Sequence, residues 1–404
     1  MGPILQTQQY LSHLLTFAEG DDTLERHGHV TQHLTDEQLL LKQRCSRCNK
    51  TLVQMNKDEA RMEVKRKALE RKKAAKEDVA TSPYSTSGTD GYSTASANKA
   101  EDETPENTYL CQFHPGTVVN KHWTCCSQHV AQKPCAGTYA HSLHRQSLHD
   151  LSSLYQFHTT PPFRPYRGSS MRAAVALDCE MGTAESGDVE LIRISMVDYF
   201  TGEILINSLV QPSVRMAHLN TKYSGVTFAD LNNARRAGKC LRGTDGARRA
   251  VWSYIGPETV VIGHGVGNDL RALKWLHANI VDSYVIEFKK VKMEEEEKKA
   301  REEEERKVQE ELNLVREAAG LHIEEGEKNG KSGEGNHGEG GDGLGELKEM
   351  KKKTKGSGRL SLKTMMKECL NKEIQTGKRG HDSLEDAVAA RELVHWLITH
   401  PERG

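Results

Sequence analysis

The stretch AAVALDCEMG, Ala173 to Gly182, constrains the fold more than any other part of the chain. An apolar run leads straight into two carboxylates one residue apart. Such a run reads as a buried strand, and residues i and i+2 of a strand share a face. Asp178 and Glu180 therefore point the same way, while Cys179 points the other. Two like charges about 4 Å apart repel by roughly 4 kcal/mol at an effective dielectric near 20. A chain that places them so calls for something positive between them.

The neighbouring sequence builds a sheet around this strand. VELIRISMVDY (Val189 to Tyr199) and EILINSLV (Glu203 to Val210) read as two more strands, joined by the turn residues Thr201 and Gly202. Helical stretches start at Ala229 and at Gly246. A short apolar strand follows at Thr259 to His264, then a helix from Asp269 to His277 and a strand from Ile280 to Phe288. SLKTMMKECL and SLEDAVAARELVHWLI carry helical periodicity. Three antiparallel strands followed by alternating helices and strands predict an α/β fold, a mixed sheet flanked by helices.

Much of the chain cannot join that core, since only 36% of the 404 residues are hydrophobic, 5% aromatic and 28% charged. Residues 58–107 are charged and then Ser/Thr/Gly-rich, as a linker would be. Residues 289–358 form a second interruption. Its first part offers Glu-to-Lys/Arg pairs at i, i+4, such as Glu294 with Lys298 and Glu302 with Arg306, which favour a solvated helix. Its second part, Gly326 to Gly345, is glycine-rich and expected to be disordered. The expected plan is an N-terminal helical or flexible segment (1–44), a Cys/His module (45–145) containing the first linker, and the α/β domain (172–400) containing the second interruption. A net charge of −1 hides blocks of opposite sign. No run reaches the roughly 18 apolar residues of a membrane span. The first residues lack signal-peptide character, and Gln6 stands where myristoylation wants Ser or Thr, so an intracellular protein is expected.

Three further titratable positions stand at element ends. GHGVGNDLRAL puts Asp269 at a helix start, and HDSLEDA puts His381 and Asp386 around the start of the last helix. Asp382 is the expected cap there, with Glu385 completing a capping box. Carboxylates alone form a hard donor set suited to Mg²⁺ or Mn²⁺ rather than zinc. Two such ions about 3.5 to 4 Å apart activate a water and stabilise the leaving oxygen of a phosphodiester. A nearby histidine can take the proton of that water, and His381 is the candidate.

These residues resemble, in order and spacing, the three motifs of the DEDDh 3′→5′ exonucleases, which have a ribonuclease-H-like fold. DCEMG, NTKYSGVT (Asn220 to Thr227), IVDSYVI, Ser361 to Lys363 and GHDSLEDA resemble more closely the eukaryotic RNA exonucleases of the Rex group. The resemblance covers Arg172 to His400 without the interruption. It implies that Asp178, Glu180, Asp269 and Asp386 hold two Mg²⁺ or Mn²⁺ ions and that His381 is the general base; Met181, next to the paired acids, is a candidate contact for the terminal nucleotide. The family passes quickly from the IVDT-like strand to the SLK helix. Here about 70 residues intervene, which is tolerable because loop-closure entropy grows slowly with length.

Six of the nine cysteines lie in the first third of the chain, among histidines: Cys45, Cys48, Cys111, His114, Cys125, Cys126, Cys135 and His141. Eight such ligands suffice for two tetrahedral zinc sites, with His129 as a spare. Their order resembles CHORD-type modules and the N-terminal zinc-like segment of some Rex exonucleases. Arg235 and Arg236 open a basic stretch, with Lys239, Arg242, Arg248 and Arg249, that either holds a nucleic-acid backbone or is a solvated helix face. The basic runs at Lys65 to Lys76 and Lys351 to Lys355 read as import signals, for the nucleus or nucleolus, or as solvating tails, with the cytoplasm as the alternative location.

The expectation is a metal-dependent 3′→5′ exoribonuclease that trims single-stranded RNA with a free 3′ end to 5′-mononucleotides in RNA processing or turnover, rRNA processing included. A protein partner would dock on the zinc module or the charged interruption. The competing readings are a DNA 3′→5′ exonuclease and a catalytically silent adaptor.

Overall fold

The computed structural model describes residues 2–80, 109–164, 170–318, 358–377 and 380–400. The chain divides into two compact units, one of residues 1–31 and 159–404, the other of residues 32–158. The Ser/Thr-rich run after residue 80, the glycine-rich run at 326–345 and the lysines at 351–355 lie outside the described residues.

The larger unit is built on a seven-stranded mixed sheet. Its strands are β1 (Ala174–Ala184), β2 (Val189–Asp198), β3 (Ile204–Gln211), β4 (Met216–His218), β5 (Cys240–Arg242), β6 (Val260–Gly263) and β7 (Ile280–Asp282). The spatial order is β5-β3-β2-β1-β6-β7, with β4 paired to the far end of β1. β1, β2 and β3 are antiparallel neighbours, and β6 and β7 continue in parallel. Its helices include α1 (Phe228–Arg236), α2 (Gly243–Trp252), α3 (Gly267–Ala272), α4 (Ser283–Ala318), α5 (Leu362–Leu370) and α6 (Ser383–Thr399), and others span Gln8–Thr16, Asp21–Arg26 and Thr221–Ser224.

The period of two along β1 sorts its side chains into two cores. Val175, Leu177 and Cys179 pack with Ala247 and Val251 of α2 and Leu270 of α3. Ala174 and Ala176 pack on the other face with Val394 and Ile398 of α6. Two alanines leave room for α6 to lie close, which brings its first turns over the end of β1. Arg391, only 2% exposed, pins that helix by donating from Nε to the Tyr199 carbonyl at 2.6 Å and from Nη2 to the Phe200 carbonyl at 3.2 Å.

Two expected elements differ in extent. The strand expected to run to Phe288 stops at Asp282, and α4 starts at once. The reason is local: Asp282 Oδ1 accepts from the Tyr284 amide at 3.0 Å, an N-cap contact that turns an apolar run into a helix start. The helix expected to reach His277 ends at Ala272, and Lys274 adopts a left-handed φ of 49° before the short strand Trp275–Leu276. On α4 the expected pairs are replaced by others. Glu294 meets Arg359 at 3.8 Å and Glu302 meets Lys298 at 3.8 Å, because long solvated side chains choose among several neighbours.

The smaller unit has short pieces of strand and one long helix, Leu52–Ala80. Arg44–Cys45 pairs with Leu143–His144, and Cys111–Phe113 with Ala136–Thr138, both antiparallel. Its buried cluster is small, with Cys45, Met55 and Cys111 at the centre and Cys48, Leu52 and Phe113 against it.

Candidate active site and candidate metal centres

Asp178 and Glu180 share the face of β1 that α6 covers, and Cys179 is buried on the opposite side. Across the strand pair, Asp178 stands opposite Ser195 and Glu180 opposite Arg193. The register then shifts, with Met181 opposite Leu191, so β1 bends immediately after the two acids. The start of α6 is fixed against the same pair of strands. Ser383 Oγ lies 2.8 Å from Ser195 Oγ, and Arg193 Nη2 lies 2.8 Å from Asp382 Oδ1. Asp382 caps α6 by accepting from the Leu384 amide at 3.1 Å. The expected capping box does not form, because Glu385 accepts instead from the Gln375 amide at 2.9 Å. Asp386, one turn in, is carried over β1, and ligand oxygens of Asp178, Glu180 and Asp386 all lie within 4.8 Å of one another.

Asp269 arrives from the other side of the strand. Pairing of β1 with β6 is recorded only from Ala174 to Ala176, so the Cys179 amide farther along needs another acceptor. Asp269 Oδ1 takes it at 3.1 Å. His381 is held at the rim, 46% exposed, with Nδ1 3.5 Å from Asp386 Oδ2. Its amide donates to the Tyr223 carbonyl at 2.5 Å. Gly380 before it has a φ of +91°, and a Cβ there would lie 2.6 Å from the Tyr223 carbonyl oxygen and the Gly225 nitrogen, so only glycine fits this close approach.

The electrostatics follow from burial of like charges. Asp178 is pushed well above the ordinary carboxylate range by burial first, then by Asp269, Asp386 and Glu180, with Arg193 opposing. Asp269 is likewise raised well above it, chiefly by burial. Glu180 is pushed up to about 8 by burial and by Asp386. Burial also raises Asp386, against the opposing pull of Gln375 and His381. A bound cation would oppose these shifts by favouring the ionised carboxylates it contacts. The donors are oxygens only, and those of Asp178, Glu180 and Asp386 lie at mutual distances a hard divalent ion can bridge, which fits Mg²⁺ or Mn²⁺.

The remaining sequence-predicted residues are placed differently. Arg235 and Arg236 are exposed on the last turn of α1, which packs on β3 and β5, two strands or more away from β1. Arg248 of the same basic stretch is neither a backbone clamp nor a solvated cation: it is 5% exposed, donates to the Leu273 carbonyl at 2.8 Å and pairs with Asp245. Met181 packs against the core, and its carbonyl accepts from Asn220 Nδ2 at 3.2 Å. Sequence reading did not find Arg193 or Gln375. Arg193 could have been found by counting the register of the β1–β2 hairpin from its turn. Gln375 had no such signal.

The Cys/His residues gather into two sets, Cys45, Cys48, Cys111 and His141 in one, His114, Cys125, Cys126 and Cys135 in the other. A tetrahedral ion with Zn–S of 2.3 Å and Zn–N near 2.0 Å sets ligand atoms about 3.8 Å apart for two sulfurs and about 3.5 Å for sulfur and nitrogen. Here Cys45 Sγ and Cys111 Sγ are 3.7 Å apart, and Cys125 Sγ and Cys135 Sγ 3.5 Å. His141 Nδ1 is 3.4 Å from Cys48 Sγ, and His114 Nδ1 is 3.5 Å from Cys126 Sγ. The spacing and the soft donors fit zinc. His129 stands outside both sets, its Nδ1 accepting from the Ala131 amide at 3.3 Å.

No family model matches the chain. Among curated proteins, RNA exonuclease 3 of Candida albicans is 25% identical over 291 residues, 72% of this chain and 54% of that protein. RNA exonuclease 3 of Saccharomyces cerevisiae is 26% identical over 202 residues, 47% of each chain. In Eremothecium gossypii the protein of that name is 37% identical over 128 residues, 31% of each chain. Such matches span about half the length of the relatives or less. Among solved structures, the Neurospora crassa Pan2 catalytic unit, protease and nuclease domain, aligns over 61% of this chain and 30% of its own at 16% identity. Its TM-score of 0.36 is too low to carry an argument.

Proposed function

We propose that this protein is a metal-dependent 3′→5′ exoribonuclease of the DEDDh type that removes 5′-mononucleotides from single-stranded RNA. The observation that carries the reading is the meeting of Asp178, Glu180 and Asp386, from β1 and α6, beside a half-exposed histidine, with the buried Asp269 of α3 bound to the backbone of the same strand between the two acids. The likeness to proteins named RNA exonuclease 3 supports it.

Asp178, Glu180, Asp269 and Asp386 are the groups that would hold two Mg²⁺ or Mn²⁺ ions. Bound there, the ions supply Lewis acidity and neutralise charge developing on the phosphodiester. His381 takes the proton of the attacking water at the rim, where solvent reaches it. Arg193 keeps Asp382, and with it the first turn of α6, against β2. A terminal nucleotide must come down to buried carboxylates, which favours single-stranded ends. The two Cys/His sets would bind zinc and hold the smaller unit in shape for RNA or for a partner protein. The basic helix at Lys65 to Lys76 favours a nuclear location.

The test is a time course on single-stranded RNA labelled at either end, beside DNA of matched sequence, with Mg²⁺. The expected result is release of the 3′ label first, as a mononucleotide, with RNA cut faster than DNA. Release of the 5′ label first, or internal cleavage, contradicts the polarity. Faster DNA turnover favours the deoxyribonuclease reading.

A further inference from the structure

Gln375 stands outside every motif, yet its side chain reaches into the carboxylate cluster. Nε2 lies 3.0 Å from Asp386 Oδ1 and 3.1 Å from Asp386 Oδ2. An amide NH₂ has two protons, so it can serve both oxygens, and each oxygen keeps lone-pair capacity for another partner. A carboxylate on a helix otherwise turns broadly about χ2. Beside two like charges it would turn away from them. A donor across both oxygens opposes that rotation.

The backbone that carries Gln375 is itself pinned. Its amide donates to Glu385 Oε2 at 2.9 Å, and its carbonyl accepts from Lys363 Nζ at 3.3 Å. Ile374 before it is buried with Met366 of α5 and Leu393 of α6. Gln375 has a φ of 55°, left-handed backbone that glycine adopts without strain and other residues do not. Only the side chain gives a reason for glutamine at that position.

We propose that Gln375 is a positioning residue that holds the Asp386 carboxylate in the orientation that receives a divalent ion. It acts through Asp386 and touches neither RNA nor the reacting atoms. The inference rests on the proposed metal site, and it reaches the nuclease reading only through activity.

The experiment measures Mn²⁺ binding to the full, zinc-replete chain by calorimetry or electron paramagnetic resonance. It compares wild type, Gln375→Met, which keeps length and loses the donor, Gln375→Gly, which also relaxes the backbone, and Asp386→Asn alone and combined with Gln375→Met. Both Gln375 variants are expected to weaken Mn²⁺ binding by about 10-fold or more, the range for groups that orient a metal ligand. Gln375→Gly should do so without a lower Tm, which separates positioning from a loss of folding. Adding Gln375→Met to Asp386→Asn should change nothing further. Wild-type Mn²⁺ affinity in both Gln375 variants overturns the proposal, as does a loss that adds fully to that of Asp386→Asn. A wild type that binds Mn²⁺ but degrades no RNA sinks the nuclease reading alone. A wild type that binds no Mn²⁺ sinks both.

Discussion

The carboxylate cluster and the Cys/His sets are both candidate metal sites, and they differ in what surrounds them. The acids sit on a strand of the seven-stranded sheet and on two helices packed against that sheet, elements that burial and backbone pairing hold in place. The cysteines sit on two short strands and on turns, and the buried cluster beside them is centred on three residues. In the larger unit the fold exists first and would impose a charge cluster on the metal. In the smaller unit the metal would supply much of what keeps the fold together. Hard donors in a preformed cage suit chemistry, and soft donors in a thin core suit structure.

The sharpest way to break this contrast is chelation. Structural zinc in small modules is worth on the order of 10–16 kcal/mol. Treatment with a strong chelator should therefore make residues 32–158 sensitive to protease and leave the sheet of the larger unit resistant. Mass spectrometry of the digest would show it, and loss of both units together, or of neither, would erase the distinction. Cys111→Ser should reproduce the chelator effect on the smaller unit alone.

Arg193→Gln probes the other side of the comparison. It removes the cation opposite Glu180 and the bridge to Asp382, whose half-exposed side chain holds that bridge to about 1 kcal/mol or less. The urea midpoint should fall, and Mg²⁺ should restore part of the loss. A midpoint equal to that of wild type would mean that the cluster tolerates its charges without Arg193.

The acids also predict a dependence on pH. A carboxyl whose folded pKa is raised binds its proton more tightly in the native state, so stability falls as pH rises from its unfolded to its folded value. For Glu180 that window runs from 4.5 to about 8. Without added Mg²⁺ or Mn²⁺, Tm should drop across this range, and added divalent ion should raise Tm more at pH 8 than at pH 5. A Tm that rises across the window without metal would reverse the sign of the argument. The smallest effect belongs to the solvated helix α4, where Arg306 meets Glu303 at 3.0 Å and Glu310 at 4.0 Å in the open. Arg306→Ala should change stability by less than about 1 kcal/mol by urea titration.

What the sequence made legible follows the same division. The period of two placed Asp178 and Glu180 together and sent Cys179 into the core, because those rules act between adjacent residues. Asp269 and Asp386 were legible as acids at helix starts. The cross-strand meeting of Glu180 with Arg193 depends on register, and the reach of Gln375 to Asp386 depends on a left-handed residue in a loop. Neither is a local rule. Arg248 was read as part of a basic surface because composition does not distinguish a solvated arginine from one that satisfies a buried carbonyl. The same limit hid the partition of the Cys/His ligands, since Cys45 and Cys48 join Cys111 and His141 across a long stretch of chain.

The central claim is that the four carboxylates form a catalytic site for divalent ions. The most direct measurement is the rate of 3′-label release from single-stranded RNA by wild type and by Asp178→Asn, at saturating Mg²⁺, with the Tm of each recorded. Asn keeps the shape, removes one buried charge and weakens a metal ligand. The account predicts a rate at least about 10²–10³-fold lower, the range for losing one preorganised electrostatic group, with an unchanged or higher Tm. Equal rates in the two proteins would contradict it.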